Sequence, residues 1–78
     1  MIKELLDTLE FSQPMSVTTK RGPRLLRKAS VTPEFWSIYQ DNKEDIRQIF
    51  GDLGFQLSKF REEWEVAWWS RADLSFPI

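Results

Sequence analysis

The sequence predicts a small single α+β domain: antiparallel β-hairpins packed on a central helix, with a short helix ahead of them. Three observations lead there. "TPEFW" (Thr32 to Trp36) is a helix start, with Thr32 as cap and Pro33 at the first helical position, where a missing N–H costs nothing. Before it, "MSVTTKRGPRLLRKASV" alternates apolar and polar residues on either side of Gly-Pro, as a half-buried hairpin does. After it, "WEVAWW" is dense in the aromatic and β-branched residues that strands favour.

The first element covers residues 2–10. Ile2, Leu5, Leu6 and Leu9 fall on one face of a short helix. Gln13-Pro14 is expected to end it, because the residue before a proline avoids the α region. In the hairpin, Arg21-Gly22-Pro23 reads as a three-residue loop that pairs Lys20 with Arg24 and sets Val17 opposite Arg27. The odd-numbered face then collects Met15, Val17, Leu25, Ala29 and Val31. The even face collects Ser16, Thr18, Lys20, Arg24, Lys28 and Ser30. Arg27 on the apolar face and Leu26 on the polar one depart from that pattern.

The central helix is expected over about 33–50, with Glu34 in its first turn and Gly51 as its terminator. Phe35, Tyr39, Ile46, Ile49 and Phe50 form its apolar stripe. The stripe lapses for one turn at Asn42-Lys43, and Asp41 with Glu44 has capping-box spacing, so a break into two helices near Asp41 also fits.

Residues 55–69 fit two structures. As a hairpin, Phe55, Leu57, Trp64, Val66 and Trp68 share one face, Glu63 and Glu65 point out, and Arg61-Glu62-Glu63 forms the turn. As a helix, Leu57, Phe60, Trp64 and Trp68 form a stripe, with Lys59–Glu63 and Arg61–Glu65 as i,i+4 pairs. The turn holds no Gly, Asn, Asp or Pro, which counts against a hairpin. The strand-forming density of "WEVAWW" counts for one, and the balance falls to strands. A hairpin followed by two packed helices is the alternative architecture.

Composition narrows the function. The chain has 78 residues, 41% of them hydrophobic and 29% charged, in the range of a globular domain rather than a disordered one. It has no Cys, so neither a disulfide nor a thiolate zinc site is available. Four Trp, six Phe and one Tyr supply core area instead. Glu4, Asp7 and Glu10 interrupt any signal-peptide core, and no apolar run approaches the ~20 residues of a membrane span. An intracellular, cytoplasmic protein without a membrane partner is the expectation.

With no His and no Cys, the chain lacks the commonest general base, the commonest metal ligand and the thiol nucleophile. The carboxylate pairs Glu44-Asp45 and Glu62-Glu63 are sequence neighbours, which do not project to one point. Gly22, Gly51 and Gly54 match no phosphate-binding loop. No enzyme, no cofactor and no metal are therefore expected.

Charge is divided along the chain. The net charge is −1, yet five basic residues and no acid lie between Phe11 and Pro33, while six basic residues face twelve acids elsewhere. Lys20, Arg21, Arg24, Arg27 and Lys28 are the candidate anion-binding or nucleic-acid-binding residues, three of them Arg with bidentate phosphate geometry. Phe60, Trp69 and Phe76, with the rest of the C-terminal "LSFPI", are the candidate partner-binding residues or a homodimer contact. The plain alternatives are a solvated hairpin, an acidic helix lying on a basic strand, and a Trp69 packed within the domain. Two functions follow as expectations. One is a non-catalytic protein-interaction module (adaptor, inhibitor or small subunit) using an aromatic patch and the basic hairpin. The other is an accessory module gripping the phosphate backbone of DNA or RNA through residues 20–28.

Overall fold

The chain begins with three leucines at helical spacing, and they do what that spacing requires. Leu5, Leu6 and Leu9 are all buried, the first two on helix α1 (Ile2–Asp7). The computed structural model describes residues 2–70 and residue 76. α1 stops well before Pro14, because the Thr8 hydroxyl and N–H both bond the Leu5 carbonyl, at 2.6 and 3.2 Å. The chain then runs extended, with Ser12 bonded through its N–H and hydroxyl to the backbone of Lys28.

The first hairpin joins β1 (Met15–Thr19) to β2 (Gly22–Ser30). Its register differs from the sequence expectation by three residues. Thr19 pairs with Gly22 and Val17 with Arg24, so the turn is Lys20-Arg21, not Arg21-Gly22-Pro23. Gly22 explains the choice: at φ 102° it takes the left-handed position that closes a type I turn into a hairpin. The Thr19 hydroxyl holds the turn, donating to the Gly22 carbonyl at 2.7 Å and accepting the Arg21 N–H at 3.2 Å. An odd shift turns every β1 side chain to the other face. Met15 and Val17 therefore share a face with Arg24, Leu26 and Lys28. Leu25 keeps the face of Ala29, as the sequence predicts, yet is 45% exposed rather than in the core.

Helix α2 (Pro33–Asp41) starts as its sequence requires, with the Thr32 hydroxyl accepting the Phe35 N–H at 3.2 Å and Pro33 in the first turn. The break falls at Asn42. Its N–H bonds the Tyr39 carbonyl and its side-chain amide donates to the Ile38 carbonyl, closing α2. α3 (Lys43–Leu53) then begins at once, runs through Gly51, and ends where Gly54 adopts φ 88°. Gly51 is thus a helical residue, and the terminator lies three residues later.

The last third is a hairpin, β3 (Phe55–Phe60) and β4 (Glu63–Trp69). Phe60 pairs with Glu63, so the turn is the two residues Arg61-Glu62. Arg61 supplies the positive φ, 59°, that such a turn requires.

The four strands form one antiparallel sheet in the order β1-β2-β4-β3. Register and alternation send Ala29, Phe55, Val66 and Trp68 to one face. There they form a single cluster with Leu5, Leu6, Leu9, Phe35, Tyr39, Ile46 and Phe50 from the helical side. The Trp68 indole N–H meets the Leu53 carbonyl at 2.9 Å, so its polar edge is satisfied inside that core. All three helices among the described residues lie on this face.

Candidate functional site

The opposite face of the sheet has no helix over it among the described residues. Three strands contribute a cross-sheet row, with Met15 beside Leu26 and Leu26 beside Trp69. Val17 and Arg24 form the next row toward the hairpin tip, and Lys28, Ala67 and Gln56 the next row the other way. Leu26 and Ala67 are buried, at 6% exposure each, yet stand outside the main core cluster. Met15 remains 44% exposed and Trp69 half-buried. The result is an apolar stripe across the sheet with Arg24 and Lys28 at its flanks.

The structure divides the five basic residues. Lys20 and Arg21 form the hairpin tip. Arg24 lies on the open face, where its guanidinium bonds the Pro23 carbonyl at 3.0 Å. Lys28 is on that face too, 3.7 Å from Glu65. Arg27 is on the helical face, as its odd position required, donating to the Ser12 carbonyl at 2.9 Å and standing over the ring of Phe76.

The three aromatic candidates also separate. Trp69 belongs to the open-face row. Phe60 shares that face and is 67% exposed, but it stands six residues along the hairpin, about 20 Å from Trp69. Phe76 packs against Phe11, Phe55 and Trp68 on the helical side, so it is tied into the core rather than offered to a partner. The other residues of "LSFPI" lie outside the described residues. The carboxylates Glu44, Asp45, Glu62 and Glu63 are all exposed. No three His, Cys, Asp or Glu side chains gather where a metal ion could sit, among the described residues.

A second feature escaped the sequence reading. Between α2, α3 and the outer hairpin lies a groove of about 510 Å³ whose walls include Trp36, Tyr39, Lys43, Arg47, Gly51 and Trp64. The two tryptophans meet edge to face, ring centres 5.6 Å apart. The Arg47 Nε donates to the Tyr39 hydroxyl at 3.3 Å. The signal was present: positions 36, 39, 43, 47 and 51 follow one helical stripe straight through Asn42. It was legible only as a lapse in the apolar pattern.

No family model matches the chain, and neither the curated proteins nor the solved structures include a significant match to it.

Proposed function

We propose that the chain is a non-catalytic protein-interaction module that docks its partner on the open sheet face. The observation that carries this reading is the row Met15–Leu26–Trp69 on a face that no helix covers among the described residues. Met, Trp and Arg are the residue types that interface centres concentrate, and here they adjoin one another. Arg24 and Lys28 would favour a partner with an apolar centre and acidic margins. A grip on a phosphate backbone is less well supported, because Arg27 lies on the other face and Lys28 already has Glu65.

The test is affinity capture with Trp69→Ala, Arg24→Glu and, as a control on the helical side, Gln40→Ala. The reading expects a partner bound by the unmodified chain to be lost with Trp69→Ala and weakened by Arg24→Glu, with Gln40→Ala unaffected. Sedimentation would show whether that partner is a second copy. A partner retained by both open-face variants would overturn the reading.

A further inference from the structure

The groove between α2, α3 and the outer hairpin has a chemistry of its own. Trp36, Tyr39 and Trp64 give it aromatic walls, and Trp64 is 40% exposed. Its charged lining is Lys43 and Arg47, and no carboxylate lines it among the described residues. These two cations are four residues apart on α3, so they repel one another across one helical turn. Neither has an ion-pair partner among the described residues. A protein whose net charge is −1 has thus kept two cations together at an aromatic cleft.

Gly51 is an independent observation. A glycine inside a helix is costly relative to alanine. Among the described residues nothing stands within 4 Å of the position its Cβ would occupy, so their packing does not demand the glycine. It lines the groove, and any larger side chain there would extend into that space. Retaining glycine keeps the cleft open beside Lys43 and Arg47.

Cations on the rim exclude a cationic ligand, and three aromatic walls favour a flat ring. We propose that this groove binds a nucleotide, its base against Trp36 and Trp64 and its phosphate held by Lys43 and Arg47. Bases stack on indole largely without regard to sequence, and Arg is suited to bidentate contact with phosphate. The groove's size lies within the range of small-ligand sites. A free mononucleotide and one unit of a single strand share this chemistry. The proposal is independent of the open sheet face, which lies on the other side of the sheet.

Calorimetric titration with AMP, adenosine, inorganic phosphate and a short single-stranded oligothymidylate tests it. AMP should bind saturably, with adenosine or phosphate alone weaker by about tenfold or more, since each forfeits one half of the site. Lys43→Gln and Arg47→Gln should each weaken AMP by about tenfold. Gly51→Leu should abolish binding while circular dichroism and the melting transition are kept, and Gly51→Gln serves the same purpose if leucine disturbs the fold. Tighter binding of the oligonucleotide than of AMP would assign the ligand to a single strand, and the reverse to a free nucleotide. The proposal fails if neither AMP nor the oligonucleotide binds at millimolar concentration, or if binding survives both Gly51 variants. It fails equally if an acidic aromatic peptide binds where AMP does not.

Discussion

The guanidinium carbon of Arg27 stands 4.0 Å over the centre of the Phe76 ring, and the same side chain donates to the Ser12 carbonyl at 2.9 Å. One arginine thus ties together β2, the extended segment after α1 and the C-terminal end. A half-buried cation on an aromatic face, with a charged hydrogen bond, should make a structural contribution. Arg27→Ala is expected to cost about 1–2 kcal/mol, read as a lower urea midpoint. Arg27→Lys should recover only part of it, because lysine has no planar group to lay on the ring. A variant as stable as the parent would show that this contact contributes nothing.

Arg61 holds φ 59° at the tip of the second hairpin. A non-glycine residue in the left-handed region costs about 1–2 kcal/mol, part of which glycine gives back as unfolded-chain entropy. Arg61→Gly should therefore stabilise the chain by about 0.5–1 kcal/mol, as a rise in denaturation midpoint at unchanged slope. A fall would mean that the contact of the Arg61 guanidinium with the Phe60 ring, 5.4 Å away, outweighs the backbone strain.

The helix start and the two hairpin turns show where the sequence was legible and where it was not. Thr32-Pro33 announced α2 through local chemistry, and the structure uses both residues as that chemistry requires. The alternation of β4 also survived, because Val66 and Trp68 must reach the helices whatever turn precedes them. The hairpin registers were harder to read. Gly22-Pro23 resembled a loop centre, yet glycine was needed one step after the turn, and that displacement reversed a whole strand. Arg61 gave no turn signal at all, since its conformation is imposed by the two strands it joins. The open-face stripe was hidden for the same reason: Met15, Leu26 and Trp69 come from three strands and meet only once both registers are set. The groove was hidden differently, because Lys43 and Arg47 interrupt an apolar stripe whose interruption is itself the feature.

Gly51 lies within α3, and no described residue comes within 4 Å of the place its Cβ would take. Gly51→Ala should raise stability by about 1 kcal/mol through helix propensity alone. For a domain of this size that corresponds to about 4–8 °C in melting temperature. Differential scanning calorimetry measures it directly. No gain would mean that the glycine is already favoured in the folded state for a reason the local geometry does not contain.

Leu25 and Leu26 are sequence neighbours that the register sends to opposite fates. Leu25 is 45% exposed, past the reach of the helices, while Leu26 is 6% exposed between Met15 and Trp69. Leu25→Ala should therefore change stability by less than about 0.5 kcal/mol, as surface truncations do. Leu26→Ala should cost about 2–3 kcal/mol, at the low end for a buried leucine because the open face can relax around the gap. Equilibrium urea unfolding of the two variants decides the matter. The pairing of β2 with β4 sets the order of the two losses, and a one-residue slip there would exchange the faces of Leu25 and Leu26 and reverse it. The comparison therefore tests the β2–β4 register that brings Leu26 beside Trp69 on the docking face.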